Sequence, residues 1–251
     1  MQEQDIEFET SCLLDRKQVC PVCGAEFRSK DVKSGKVRTL GSDTDLRPRY
    51  EKVDILKYGI IMCTSCGYAA YSKNFKEITE SQKKVVREKI TPGFKNKETG
   101  PVYTYDDAIL RYRVAFANAM VMGVKTSQKA NVALRLGWVL RGKAESLDES
   151  MENYQEVLAK YRAEEDKYLK MAFDGFMEAR QVEDYPIAGM DQPTLDFLIG
   201  ALSVRYDQFE IASRLLGDIL LNKNATDRMK DKARDLRDEI AAKMKAAGKQ
   251  S

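Results

Sequence analysis

Two Cys-x-x-Cys-Gly motifs constrain this chain of 251 residues more than any other feature of its sequence. The first motif contains Cys20 and Cys23, and the second contains Cys63 and Cys66. Two residues between paired cysteines let both sulfur atoms point at one cation from a tight turn. The glycine that follows closes the turn without a Cβ clash. Because two such turns supply four thiolates, the sequence predicts one tetrahedral metal site formed by these cysteines.

Zinc is the metal that we expect at this site, and iron is the alternative. A closed shell of four sulfur atoms has no open position for water, so it favours a structural role over hydrolysis. The same shell holds iron in rubredoxin-type sites, and the ligands alone do not distinguish the two metals. Unrelated thiols or a redox pair would need no metal, but the repetition of the motif disfavours that alternative. Cys12 has no cysteine near it and is expected to be a bystander.

The absence of histidine from the whole chain removes many classes of enzyme from consideration. It excludes the usual general base, the Ser-His and Cys-His nucleophile pairs, and every zinc site with a histidine ligand. Aspartate and glutamate are abundant, at 39 residues, but no pair of them stands out as a catalytic constellation. We therefore favour a protein that is not an enzyme, with carboxylate catalysis left open.

Charge and hydropathy indicate where such a chain resides and what it contacts. The net charge of +3 is small, so bulk electrostatics do not favour nucleic-acid binding. A local basic group does surround the first motif: Arg16, Lys17, Arg28, Lys30, Lys33, Lys36 and Arg38. The start of the chain is acidic and polar, unlike a secretory signal, and no apolar run approaches the length of about 18 residues that suits a membrane span. We expect a cytoplasmic protein without a membrane segment.

Three zones follow one another along the chain, and together they predict a mainly α fold. Residues 1–75 hold both motifs and several short extended runs, which indicate a small rubredoxin-like or zinc-ribbon β head. Residues 76–104 form a charged connector, in which a capping box at Thr79 opens a helix that ends before Pro92, and a loop follows. Residues 105–251 have helical periodicity almost throughout.

The spacing of small and large apolar residues in the third zone resembles the tetratricopeptide repeat. Three stretches share it: Ala108-Tyr112-Ala115, Ala172-Phe176-Ala179 and Ala212-Leu216-Ile219. In that repeat, small residues let paired helices approach closely and large residues fill the gap. An insert at 144–167 breaks the repeat length, so an irregular helical bundle is the alternative. Within this zone we predict that a capping box at 146–149 starts the third helix.

Three segments carry a resemblance to one bacterial family: CPVCG, the run GSDTDLRPRY at 41–50, and CTSCGYAA at 63–70. Together they are similar to the family described as domain of unknown function 2225. The resemblance is specific over residues 18–75 and continues loosely through the helices. It implies a cytoplasmic bacterial protein with a zinc-ribbon head and a repeat-like body, and it implies no activity. Thr64 stands where that family often has proline, which leaves the cysteine ligands intact.

The loop that contains Asp43, Asp45, Arg47, Arg49 and Tyr50 is the second candidate site. Paired acids and arginines beside a rigid metal site can clamp a partner or an anion. The alternative is a loop that pairs internally and packs the head against the helices.

Taken together, these features predict a metal-stapled, non-enzymatic interaction scaffold. The head is rigid in this hypothesis, and the helices present a groove for another protein or a peptide. A rubredoxin-like electron carrier and a nucleic-acid-binding zinc ribbon are the two alternatives, the second motivated by the basic residues near the first motif.

Overall fold

The computed structural model describes residues 3–247, so residues 1–2 and 248–251 of the two predicted domains lie outside it. Its strands are β1 (Leu13–Val19), β2 (Glu26–Val32), β3 (Thr39–Ser42), β4 (Pro48–Tyr50), β5 (Ile60–Met62) and β6 (Ala69–Tyr71). Its α-helices are α1 (Glu3–Ser11), α2 (Glu80–Lys89), α3 (Tyr105–Val121), α4 (Thr126–Glu145), α5 (Tyr154–Val182), α6 (Gln192–Arg205), α7 (Phe209–Leu221) and α8 (Asp227–Ala247). The predicted class, mainly α with a small β head, is confirmed.

The six strands form three separate antiparallel pairs, β1 with β2, β3 with β4, and β5 with β6. In the first hairpin Val19 lies opposite Glu26, and in the third Met62 lies opposite Ala69. Each Cys-x-x-Cys-Gly motif therefore forms the turn of a hairpin. Short two-stranded ribbons are marginal on their own, so these hairpins need further contacts to be stable.

The third hairpin packs directly against the helices. Ile60 and Met62 of β5 belong to the same hydrophobic cluster as Ala108 and Tyr112 of α3. The Tyr112 hydroxyl donates a hydrogen bond to the carbonyl of Leu56 at 3.0 Å. The head and the helical part therefore share one core, while the division of the chain at residues 75 and 104 stays a prediction.

Helix α2, in the predicted connector, packs against the cysteine motifs. Its capping box forms as expected: the Thr79 side chain accepts from the Gln82 amide, and the Gln82 side chain accepts from the Thr79 amide. Val86 on this helix is fully buried in a cluster with Cys20 and Cys63. Helix α2 of the connector therefore covers one side of the candidate metal site.

The spaced apolar residues of the three tetratricopeptide-like stretches all lie in the helical core. None of the nine side chains is more than 2% exposed. Those on α3 and α5 share one cluster, and those on α7 lie in a second cluster with α6 and α8. Small residues therefore allow close helix packing, and the assignment to the repeat class stays a prediction.

The start predicted for the third helix is wrong. Helix α5 begins at Tyr154, and Ser146 is instead the C-cap residue of α4. Asp148 accepts hydrogen bonds from the amide of Ser150 at 2.9 Å and from its hydroxyl at 2.7 Å. This local side-chain bonding competes with helix formation and produces a turn where the sequence resembled a capping box.

Helix α1 has no counterpart among the sequence predictions, because it lacks an apolar period. A tertiary contact holds it. The buried carboxylate of Glu9 pairs with the amino group of Lys57 at 2.5 Å and accepts from the Tyr58 hydroxyl at 2.6 Å.

Candidate metal centre

The two cysteine turns have the same backbone geometry. In the first, the amide of Gly24 donates to the carbonyl of Cys20 at 2.9 Å, and the amide of Cys20 donates to the carbonyl of Ala25 at 3.0 Å. The second turn repeats these bonds at equivalent positions, at 3.1 Å and 2.8 Å. Gly24 and Gly67 both have φ of +75°, a left-handed conformation that glycine adopts at little cost.

The four sulfur atoms meet at one point and lie within 4.8 Å of one another. The Sγ atoms of Cys20 and Cys66 are 3.6 Å apart, and those of Cys23 and Cys63 are 3.7 Å apart. A tetrahedral shell with metal–sulfur bonds of about 2.3 Å places its sulfur atoms about 3.8 Å apart. The four cysteines therefore fit a metal ion, and each short contact joins the two hairpins.

Hydrogen bonds among three of the thiols shift their pKa values in opposite directions. Hydrogen bonds with Cys20 and Cys66 lower the pKa of Cys63 to about 2. The hydrogen bond with Cys63 and burial raise the pKa of Cys20 to about 11, and hydrogen bonds with both neighbours raise the pKa of Cys66. A bound metal deprotonates its thiol ligands, including Cys20 and Cys66, whose pKa values are raised. Metal uptake should therefore release protons.

Burial differs among the four ligands. Cys20, Cys63 and Cys66 are at most 3% exposed, whereas Cys23 is exposed. The buried side is covered by an apolar cluster that includes Val22, Phe27, Tyr68, Phe75 and Val86. One ligand thus reaches solvent while the rest of the centre is closed.

Residues far along the chain hold both turns in place. Arg87 of α2 donates from Nε and Nη2 to the carbonyl of Val22 at 3.0 Å and 2.6 Å. Thr91 donates to the carbonyl of Cys66 at 3.0 Å, and Asn118 of α3 donates to the carbonyl of Gly67 at 2.9 Å. Sequence reasoning missed these residues, because no spacing connects them to the motifs.

Gly67→Ala should destabilise the protein more than Gly24→Ala, although both glycines have the same φ. A Cβ on Gly67 would lie 2.5 Å from the Phe94 ring, whereas one on Gly24 meets nothing within 4 Å. We expect a loss of about 1–2 kcal/mol for the Gly24 variant from backbone strain alone. The Gly67 variant should lose about 1–3 kcal/mol more from overpacking. Urea denaturation of both variants measures the difference, and equal losses would contradict this account.

Arg87→Gln should weaken metal binding without unfolding the chain. Its guanidinium lies on an exposed part of α2 but fixes the backbone between Cys20 and Cys23. Loss of a hydrogen bond that positions the metal ligands, without touching the metal itself, typically reduces metal affinity by about 10-fold or more. Competition with a chromophoric chelator measures this affinity. Lys84→Gln, on the same helix, is the control and should match the unaltered chain.

The acidic end of the second candidate site is held by α4. The carboxylate of Asp45 receives two hydrogen bonds from Arg141, at 3.1 Å and 2.6 Å, and one from the Trp138 indole at 3.0 Å. Asp45 is 8% exposed. Asp43 binds Arg141 as well, at 3.0 Å.

The basic residues of that loop pair with the same helix. Arg47 and Arg49 both form ion pairs with Glu145, at 3.0 Å and 2.7 Å, and Arg49 binds Asp43 at 2.6 Å. Burial would raise the pKa of Asp43, but hydrogen bonds from Arg49 and Arg141 outweigh it and hold that pKa below its usual value. Tyr50 packs against the main cluster. The arrangement corresponds to the internally paired alternative.

A further carboxylate that sequence reasoning missed extends this network. Glu165 of α5 is fully buried and binds Arg141 at 2.8 Å, Arg162 at 3.0 Å and Arg205 at 3.3 Å. Arg141 thereby links the β3–β4 hairpin, α4 and α5. Arg141 and Arg205 lie on α4 and α6, so no local spacing in the sequence connected them to Glu165.

The basic group near the first motif is partly neutralised within its own hairpin. Arg16 pairs with Asp31 at 2.5 Å, and Lys30 pairs with Asp15 at 3.4 Å. Lys17 and Arg28 face each other across the strands.

The fold and the cysteine cluster define the class: a mainly helical protein in which two hairpins meet at a candidate metal centre. A family model described as "Uncharacterized protein conserved in bacteria (DUF2225)" matches residues 13–240. The chain belongs to this bacterial family. No curated protein and no solved structure matches it. Among the described helices, none has the length and apolar character required to span a membrane.

Proposed function

We propose that the chain is a cytoplasmic, non-enzymatic scaffold in which zinc staples the head and the helices bind another protein or a peptide. The observation that carries the metal part is the approach of four sulfur atoms from two hairpins to one point. All five cysteines are free of disulfides, as is typical of a reducing compartment. The closed sulfur shell supports a structural metal.

The way in which the helices hold the β3–β4 hairpin supports the interaction role. Arg141 and Trp138 bind Asp45, and Lys232 of α8 donates to the Ser42 hydroxyl at 2.9 Å. Leu46, at the tip of this hairpin, packs against both helical clusters. The helices thus recognise an extended segment of this chain with residue types that dominate protein interfaces.

Elemental analysis of the purified full-length chain tests the staple. One zinc per chain is expected, and the Cys12→Ala variant should keep it because Cys12 lies outside the centre. A pull-down from the source bacterium tests the interaction role in parallel. Absence of metal would contradict the proposed structural zinc site. Turnover of a substrate without any protein partner would contradict the proposed non-enzymatic scaffold role.

A rubredoxin-like electron carrier is the second candidate, favoured by the exposure of Cys23. An exposed sulfur ligand gives electrons a short path between the metal and a partner. Protein isolated from iron-replete cells distinguishes the two candidates, because an iron site of this shell absorbs visible light and a zinc site is colourless. Iron that cycles reversibly between two oxidation states would favour electron transfer.

A further inference from the structure

A cleft of about 270 Å³ adjoins the apolar cluster of the metal centre and shares Tyr68 with it. Strand β6 and the turn after it form one side, and the end of α3 with the start of α4 forms another. The segment 183–189 after α5 closes it. This volume is close to the lower bound of about 300 Å³ for small-molecule sites. Small apolar side chains form its floor: Ala69, Ala115, Ala119 and Val132.

The two carboxylates that line this cleft are already hydrogen-bonded. Glu183 accepts from the Ser127 amide at 2.9 Å and from the Ser127 hydroxyl at 2.6 Å. Glu77 accepts from the Asn74 side chain at 3.1 Å. The negative charges of the cleft are therefore partly compensated by groups of the protein itself.

The cations of the cleft have no such partners. The side chains of Lys73 and Lys125 line it, are exposed, and form no hydrogen bond or ion pair within residues 3–247. Arg135 does not line the cleft itself but contacts two residues that do: it donates to Asn131 at 3.3 Å and stacks 4.9 Å above the Tyr71 ring. Its guanidinium pairs with no carboxylate in the described part of the chain.

We propose that this cleft binds a small organic anion. Its carboxylate or phosphate group lies beside Lys73 and Lys125, and its short apolar part covers the alanine floor. The ligand class follows from the free cations, the engaged carboxylates and the small volume. The ligand itself contacts neither the cysteine ligands nor a protein partner, so the site goes beyond the function proposed above.

Nuclear magnetic resonance titration of the full-length chain tests this site. The probes are n-butyl phosphate, butyrate and the neutral analogue 1-butanol, which share a short alkyl chain. The variant Lys73→Gln/Lys125→Gln removes the cations of the cleft. The control Lys76→Gln/Lys129→Gln removes the same charge from neighbouring lysines that do not line it. All four lysines lack ion pairs, so both variants should fold.

Saturable shifts at the amides of residues 125–131 are expected with at least one anion. The Kd of that anion should rise at least tenfold in Lys73→Gln/Lys125→Gln and less than twofold in the control variant. The unaltered chain should bind 1-butanol at least tenfold more weakly than it binds that anion. The anion that binds more tightly identifies the ligand as a phosphate ester or a carboxylate. Three results would overturn the proposal: no saturation by either anion, equal binding of 1-butanol, or equal losses in the two variants.

Discussion

Cys63→Ser is expected to abolish metal binding and to unfold both cysteine hairpins. Cys63 is fully buried, and its sulfur atom lies 3.7 Å from that of Cys23 on the other hairpin. Structural metal binding contributes free energy on the order of 10 kcal/mol, far more than two short ribbons gain from their own packing. Helices α6–α8 should remain folded, because part of their core is a separate cluster.

Hydrogen exchange followed by mass spectrometry measures this prediction segment by segment. We expect protection to disappear from residues 13–32 and 60–71 and to persist in α6–α8. Cys12→Ala is the matched control, because Cys12 is equally buried but lies outside the sulfur cluster. It should retain the metal and lose about 1 kcal/mol, as a typical core substitution does. Full protection of both hairpins in Cys63→Ser would show that the fold does not depend on the metal.

Arg141→Met is expected to lower the free energy of unfolding by about 3–5 kcal/mol. The change leaves Asp45 and Glu165 buried without a main cationic partner, and the loss of one partner from a buried pair has a cost of this size. Arg141 itself is 11% exposed at its side chain, so solvent does not compensate for the loss.

Urea denaturation gives the loss in stability, and Arg162→Met is the matched control. Arg162 binds the same Glu165 at 3.0 Å, but its side chain is 47% exposed. Exposed ion pairs contribute about 0.2–1 kcal/mol, so the control should lose less than about 1 kcal/mol. Similar losses for the two variants would mean that the buried network contributes no more than a surface pair does.

Elements with local signals were predicted well from the sequence. The capping box at Thr79 formed as its spacing indicated, and Pro193 lies in the first turn of α6. Two elements were not predicted correctly: local hydrogen bonds to Asp148 formed a turn after Ser146, and α1, which has no apolar period, formed around the buried Glu9. Local propensity is a weak guide to an element such as α1, because one buried contact outweighs it.

The candidate metal centre likewise has parts that the sequence predicted and parts that it did not. The four cysteines were predictable from the sequence, because a Cys-x-x-Cys-Gly turn aims two sulfur atoms through bonds within five residues. The contacts of Arg87 and Asn118 with those turns and the pairing of Asp45 with Arg141 depend on the tertiary fold. Such partners meet through the packing of helices, and no spacing along the chain encodes which helix faces which hairpin.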